Sequence, residues 1–142
     1  ANEKIEFSSY ELHEIISDGS DSIENLITSS SAEIKIDCPH SIKCSKSLLP
    51  RVFQNLISNS IKFATENTTP RILIQSTQDN GKIRISFEDN GPGIPEKHRS
   101  SVFGSFIRLH GQDVEGLGLG LSTIKKIIEI HNGTISISDA KL

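Results

Sequence analysis

Three polar residues at helical spacing are the first candidates for chemistry in this chain. On a helix that turns about 100° per residue, Asn55, Asn59 and Lys62 fall within an arc of about 60°, on a side that the core does not use. Two amide oxygens are hard ligands of the kind that Mg²⁺ prefers, and a lysine ammonium suits the phosphates that the ion carries. A solvated helix face would show the same stripe, so both explanations stand at this point.

Two glycine-rich loops follow this helix along the chain. Asp89 ends an apolar strand and opens the first loop, Asp-Asn-Gly-Pro-Gly-Ile at 89–94. Its carboxylate can accept the exocyclic amine of adenine, while Gly91 and Gly93, which lack a Cβ, let the backbone fit around a flat ring. An ordinary turn has the same composition, and it remains the alternative.

The second loop, Gly-Leu-Gly-Leu-Gly-Leu at 116–121, precedes a predicted helix. Its three glycines, Gly116, Gly118 and Gly120, leave the first N–H groups of that helix open toward a phosphate, at the positive end of the helix dipole. The loop lacks the Lys-Ser/Thr ending of a Walker loop. A flexible hinge is the alternative.

The segment between the loops fits a nucleotide lid. Residues 111–115 form a polar stretch with glycines at 111 and 116, and Arg108 is placed to reach a phosphate. Phe103 and Phe106 would anchor such a lid, although core packing is the plainer use of both rings.

Apolar periodicity and turn residues predict the elements that position these groups. A serine at 8 or 9 would cap a helical stretch at 10–30 that is interrupted at 17–20. Strands at 32–38 and 42–44 come next, and the second is placed to pair with the first.

The helix that carries the polar stripe begins near Pro50, with Ser45 or Ser47 as its cap, and runs to about Ala64. One side of it should pack on the sheet. That side comprises Val52, Leu56, Ser60 and Phe63, extended by Phe53, Ile57 and Ile61.

The second half of the chain contains an antiparallel pair. Strands at 71–76 and 82–87 flank Asn80-Gly81, the favoured turn of a two-residue hairpin. The remaining predicted elements are a short helical piece at 96–102, a helix from the second glycine loop to a Gly133 C-cap, and a last strand at 134–138. This mixed order predicts an α+β fold, with one mixed sheet and helices on one face.

Composition limits the partners. A length of 142 residues favours one domain at 1–142, and a net charge of −3 without a basic cluster argues against nucleic acid. No apolar run approaches about 18 residues, so no membrane contact is expected of this domain. Cys38 and Cys44 match no metal or redox spacing, which indicates reduced structural thiols and a cytoplasmic location. The absence of methionine favours a piece of a longer chain.

Four segments in this order resemble the N, first glycine, F and second glycine boxes of histidine kinases. They are Asn-Leu-Ile-Ser-Asn-Ser-Ile-Lys-Phe at 55–63, the first loop at 89–94, Phe-Gly-Ser-Phe-Ile-Arg at 103–108 and the second loop at 116–121. The resemblance covers about 48–138. It implies the ATP-binding catalytic domain of a two-component sensor kinase, on the two-layer Bergerat α/β sandwich that gyrase, mismatch-repair and chaperone ATPases share.

The resemblance also implies roles for individual residues. Asn59 is similar to the Mg²⁺ ligand of the family, with Asn55 assisting it and Lys62 on a phosphate. Phe63 should contact adenine and Asp89 should bind its amine. The expected base-pocket lining is Gly91, Gly93 and Ile94; the expected phosphate-binding backbone is Gly116, Leu117, Gly118, Leu119, Gly120 and Leu121; and Arg108 is a further phosphate or lid contact.

One position within the N box separates the branches of this superfamily. The related ATPases place a water-activating glutamate four residues before the metal-binding asparagine, and here that position is Asn55. An amide cannot act as a base, so the resemblance favours transfer of the γ-phosphate to another protein over hydrolysis. No residue of the chain is then expected to serve as acid, base or nucleophile.

Two departures from the family shape the expected partners. The phosphoacceptor box, His-Glu followed by Leu/Ile, Arg, Thr and Pro, is absent, since His-Glu-Ile at 13–15 continues into Ile-Ser-Asp, and His13 is predicted to be a helix-surface residue. The chain also stops before the Gly-rich turn and final strand that usually close the sheet. The acceptor histidine is therefore expected on a separate helical-hairpin domain of the same parent, which would dimerise through that domain and pass the phosphate to a response regulator, while this piece alone is a monomer. The alternatives are an anti-sigma-type serine kinase and a nucleotide-binding interaction module without transfer.

Overall fold

The computed structural model describes residues 5–64, 69–90 and 117–135. Helices and strands alternate irregularly in these ranges, as an α+β fold requires. They are β1 (Ser8–Glu11), α1 (Leu12–Asp21), α2 (Glu24–Ser30), β2 (Glu33–Asp37), β3 (Ser41–Cys44), α3 (Leu49–Lys62), β4 (Arg71–Asp79), β5 (Lys82–Asp89) and α4 (Leu117–Ile130). The predicted helical piece at 96–102 lies outside the described residues. Thr134 and Ile135 are not in a strand, and the rest of the predicted last strand also lies outside.

The strands in these ranges form two sheets, one of three strands and one of two. β4 lies between β2, to which it is parallel, and β5, to which it is antiparallel, while β1 and β3 form an antiparallel pair. The prediction that β3 pairs with β2 is wrong. β2 lies beside β4 instead, where Ile34 and Ile36 pair with Ile72 and Ile74 and extend one apolar surface.

The predicted hairpin is confirmed. Asn80 and Gly81 have φ angles of 51° and 75°, both in the left-handed region that a type I′ turn requires. The pairing continues along both strands until Ile72 lies opposite Asp89. Both strands are therefore longer than predicted, and Asp89 lies at the end of the ladder away from the turn.

The chain begins with a strand that the sequence pattern did not predict. Tyr10 pairs with Ile42 of β3, so Ser8–Glu11 is extended backbone rather than a helix cap. Leu12 then begins α1, and its N–H donates to the carbonyl oxygen of His40 at 2.9 Å. The serine cap predicted at 8 or 9 is wrong because β3 draws this segment into a ladder.

The predicted interruption at 17–20 is also wrong, because these residues lie inside α1. The helical stretch breaks after Asp21 instead. A Cβ on Gly19 would lie 2.4 Å from the carbonyl oxygen of Pro50 and 3.3 Å from Cβ of Phe53. The glycine therefore serves the close approach of α1 to α3 rather than a turn. His13 of α1 is exposed, as predicted.

The predicted serine cap of α3 is wrong: the N-cap is Leu48, which makes no side-chain capping bond, and Ser45 instead organises the turn ahead of the helix. Oγ of Ser45 accepts the N–H of Leu48 at 3.2 Å, and its carbonyl oxygen accepts the N–H of Leu49 at 2.9 Å. Pro50 lies in the first turn, where the missing N–H costs little. The helix ends at Lys62, two residues before the predicted end.

The left-handed residue after α4 is Asn132, whereas the sequence predicts Gly133 as the C-cap. Asn132, with φ of 59°, takes the left-handed position, and the N–H of Gly133 donates to the carbonyl oxygen of Ile128 in a Schellman motif. His131 accepts the N–H of Ser45 on Nε2 at 3.0 Å, and its Nδ1 donates to the carbonyl oxygen of Ile127 at 2.7 Å. The first bond joins the end of α4 to the turn before α3, and the second fixes the imidazole ring on α4.

The apolar core lies between the three-stranded sheet (β2, β4 and β5) and the helices. Ile72 and Ile74 are buried on one face of β4, whereas Gln75 and Thr77 on the other face are exposed. The helices contribute the remaining side of this core. Their buried apolar residues are Leu12, Ile15, Ile16, Leu49, Val52, Phe53, Ile57, Ile124 and Ile127. Coverage of one sheet face by helices is thus confirmed.

The two cysteines are free and buried. Burial raises the pKa of both the Cys38 and the Cys44 thiol. Among the described residues, no His, Cys, Asp and Glu side chains gather in threes as a metal site of those ligands would need. None of the helices described is long and apolar enough to cross a bilayer.

Candidate functional site

Asp89 is the last residue of β5, and its side chain points toward the helices. It shares a face of the strand with Ile83, Ile85 and Phe87, which pack against the core, because side chains alternate between the two faces. The register places it opposite Ile72. The Asp89 carboxylate therefore continues the row formed by Ile83, Ile85 and Phe87, at the position where a further apolar residue would extend it. These three residues are the predicted apolar surface beside the carboxylate.

Ser60 of α3 contacts this carboxylate directly. Its Oγ donates a hydrogen bond to Oδ2 of Asp89 at 2.5 Å, at the short end of hydroxyl–carboxylate contacts. The helical pattern assigned Ser60 to the side that packs on the sheet, and that side is correct. Its polar partner was missed, although a lone hydroxyl in an apolar stripe was a usable signal.

Asn59, the residue before Ser60, has an unpaired amide. Its Nδ2 is buried, and no atom of the described residues accepts a hydrogen bond from it. A buried donor without an acceptor costs about 1–3 kcal/mol, so a ligand oxygen there would recover stability. The carboxamide has an oxygen for Mg²⁺ and a nitrogen for a phosphate oxygen, so the residues present fit the predicted metal–phosphate site.

The other residues of the stripe lie on the same helix. Asn55 is half-buried one turn before Asn59, and Lys62 is exposed in the last turn of α3. Phe63 is the C-cap residue after the helix, and it packs against the core while staying partly accessible. α3 and its C-cap thus carry amide oxygens, an ammonium and an aromatic ring, on the same helix whose Ser60 contacts Asp89.

α4 begins inside the second glycine loop. Leu117, Gly118, Leu119, Gly120 and Leu121 form its first residues, whereas the prediction placed the loop ahead of the helix. The first N–H groups of a helix have no acceptor within it. The groups predicted to bind phosphate are therefore N–H groups of the first turn of α4 rather than of a loop before it.

Asn90 fixes the backbone where the first glycine loop leaves the sheet. Its Oδ1 accepts the N–H of Arg71 at 2.8 Å, and its Nδ2 donates to the carbonyl oxygen of Thr69 at 3.0 Å. Its own N–H donates to the carbonyl oxygen of Arg71 at 3.2 Å. These bonds extend the pairing one residue past Asp89 and so fix the backbone beside it.

The other predicted site residues lie outside the described residues. They are Gly91, Gly93, Ile94, Arg108 and Gly116. Their predicted roles, like the predicted lid, stay predictions.

The chain matches a known family over most of its length. Residues 44–141 match the profile of the histidine kinase-, DNA gyrase B-, and HSP90-like ATPase family. The chain is 38% identical to the adaptive-response sensory kinase SasA of Crocosphaera subtropica over 117 residues, 78% of this chain and 30% of that protein. It is 35% identical to the phytochrome-like protein Cph1 of Synechocystis over 126 residues, 88% of this chain and 17% of that protein.

Solved structures give the same result. The catalytic domain of the histidine kinase ThkA superposes with a TM-score of 0.73 at 29% identity, over 89% of this chain and 82% of that one. ThkA in complex with the response regulator TrrA gives a TM-score of 0.75 at 27% identity, over 96% of this chain and 39% of that one. The chain belongs to the histidine kinase-, DNA gyrase B- and HSP90-like ATPase family, and its fold is that of histidine kinase catalytic domains. It spans 17% to 30% of the two curated relatives named above.

Proposed function

We propose that this chain is the ATP-binding catalytic domain of a two-component sensor histidine kinase. One observation carries the proposal: the Ser60–Asp89 hydrogen bond joins the end of β5 to α3 directly after Asn59. A carboxylate for a nucleobase and an unpaired amide for a metal–phosphate group therefore lie at adjoining positions. Each group alone has other uses, but their combination fits a nucleotide bound across the two elements.

The base is held at the sheet end. Asp89 accepts the exocyclic amine of adenine, a single donor that a fixed carboxylate oxygen can match. Phe63 offers an apolar edge to the ring, and Gly91, Gly93 and Ile94 of the following loop line the base pocket in this proposal.

The phosphates are held between two helices. Asn59, assisted by Asn55, would hold Mg²⁺ through amide oxygens, and bound Mg²⁺ neutralises charge on the transferring phosphoryl group. Lys62 adds a positive charge in the last turn of α3. The free N–H groups in the first turn of α4, with that of Gly116 ahead of it in the sequence, would surround the phosphates, and Arg108 would be a further contact.

The γ-phosphate leaves for another protein rather than for water. Asn55 lies one helical turn before Asn59, where the related ATPases carry a glutamate that activates water, and its amide accepts no proton. The domain therefore positions ATP and shields its charge, while the attacking group is a histidine imidazole of a separate helical-hairpin domain. A response regulator would receive the phosphate next, and the free buried thiols fit a reducing, cytoplasmic compartment.

The test is transfer of label. The chain is incubated with Mg²⁺, γ-labelled ATP and a helical-hairpin domain that carries an acceptor histidine, and labelled protein is then exposed to acid and to alkali. We expect label on the hairpin domain that acid removes and alkali leaves, as for phosphohistidine. Acid-stable label would indicate a serine kinase. ATP binding without label on the acceptor domain would indicate a nucleotide-binding module.

A further inference from the structure

Ser60 makes an unusual hydrogen bond for a helical serine. Serines inside helices commonly bond to a carbonyl oxygen three or four residues back, as Ser58 does with the carbonyl oxygen of Asn55 at 3.2 Å. Ser60 instead donates to the Asp89 carboxylate 29 residues away, at 2.5 Å. The Ser60 hydroxyl therefore makes a tertiary hydrogen bond to a charged group rather than a local bond within α3.

This bond restricts the carboxylate in two ways. An aspartate side chain can rotate about its torsions, and each bond to its carboxylate restricts that rotation. A short charge-assisted bond sets the carboxylate plane, and it engages Oδ2 as an acceptor. The α3 backbone that carries Ser60 is itself held, since the neighbouring Ile57 is fully buried.

We propose that Ser60 is a positioning residue that makes Asp89 selective for the 6-amino group of the purine. This inference rests on the proposed function, because it deepens the role of Asp89 in the same site. An amine on a flat ring that packs against the sheet approaches from one direction, so recognition requires a carboxylate oxygen fixed along that direction. Without the Ser60 hydroxyl, the carboxylate loses the bond that α3 makes to it, and the oxygen that accepts the amine is less well oriented.

A merely structural role predicts something different. If the bond only fastened α3 to β5, its loss would loosen the pocket for every nucleotide equally. If it orients the carboxylate, its loss weakens only nucleotides that carry the amine. Comparison of ATP with purine riboside triphosphate, which has the same ring and phosphates but no amine, separates the two roles.

The experiment is calorimetric titration of the full chain with these two nucleotides in the presence of Mg²⁺. Ser60→Thr and Ser60→Val have nearly the same shape and differ in the hydroxyl, so fold and packing change alike in both. Ser60→Ala removes the hydroxyl without added bulk. Ser58→Ala is the matched control, since it deletes a serine hydroxyl on the same helix that bonds only locally.

We expect the wild-type chain and Ser60→Thr to prefer ATP by roughly tenfold or more, as a hydrogen bond to a charged acceptor allows. In Ser60→Val and Ser60→Ala, ATP affinity should fall roughly five- to tenfold while purine riboside triphosphate affinity stays unchanged. Ser58→Ala should keep the full preference.

Two other results would overturn the inference while leaving the proposed function intact. Equal weakening of both nucleotides in Ser60→Val and Ser60→Ala would assign Ser60 a structural role only. An unchanged preference for ATP in those variants would show that Asp89 needs no orientation by Ser60. If the wild-type chain binds neither nucleotide, the proposed function fails as well.

Discussion

Replacing Gly19 by alanine tests the helix contact beneath the site. The added Cβ would lie 2.4 Å from the carbonyl oxygen of Pro50 and 3.1 Å from the backbone nitrogen of Gln54. Both are backbone atoms of α3, so neither can rotate away as a side chain would. Relief of the overlap requires α1 and α3 to separate by about 1 Å.

The net effect is the difference between two terms. Alanine inside a helix is more favourable than glycine by about 1 kcal/mol. Overpacking costs about 1–3 kcal/mol, and separating the helices also loosens the contact at Phe53, which is 2% exposed. We expect the cost of the overlap to exceed the gain, with a loss of about 1–2 kcal/mol in the free energy of unfolding and a fall of about 3–7 °C in melting temperature.

The assay is urea unfolding followed by circular dichroism, with Asp18→Ala as the matched control on the exposed face of the same helix. Because α3 carries Asn55, Asn59 and Ser60, Gly19→Ala should also weaken ATP binding several-fold, whereas Asp18→Ala should not. A Gly19→Ala chain as stable as the wild type would refute the close approach of the two helices.

Three further predictions concern the groups around the site. His131→Ala should lower the free energy of unfolding by about 1–3 kcal/mol, because the N–H of Ser45, a residue 1% exposed, loses its acceptor; urea unfolding checks this, and a loss no larger than that of exposed His13→Ala would contradict it. Asn90→Ala should cost about 1 kcal/mol, since two side-chain bonds to the strand end are lost; an unchanged urea midpoint would contradict it. Burial raises the pKa of the Cys38 and Cys44 thiols, so the folded chain ionises them at higher pH than the unfolded chain does. Their contribution to the free energy of unfolding is therefore full below about pH 8.5 and is lost as pH rises through the folded pKa values. Urea unfolding between pH 8 and 10.5 should show this decline, and a Cys38→Ala, Cys44→Ala chain that declines equally would contradict it.

Local signals in the sequence were sufficient for some elements. Asn80-Gly81 demands positive φ angles at neighbouring residues, so the hairpin follows from two residue types alone. The stripe of Asn55, Asn59 and Lys62 likewise follows from helical spacing, because a helix repeats the same geometry throughout its length.

Features that depend on distant partners were missed. Ser8–Glu11 is a strand only because β3 lies beside it, and no local pattern reveals that pairing. The sequence pattern predicts a helix interruption at Gly19. The actual reason for the glycine is its close contact with Pro50, which is a tertiary contact and leaves no local signal. Ser60 was placed on the correct side of α3, but the helical pattern contains no information about Asp89.

The central claim is that Asp89 binds the base of a nucleotide held with Mg²⁺ at α3. Titration calorimetry with a non-hydrolysable ATP analogue and Mg²⁺, on the wild-type chain and on Asp89→Asn, tests it most directly. The substitution keeps the side-chain shape and an oxygen that can accept from Ser60, but it removes the charge that the amine contacts. We predict binding by the wild-type chain and at least roughly tenfold weaker binding by Asp89→Asn. Equal affinities, or no binding by the wild-type chain, would contradict the claim.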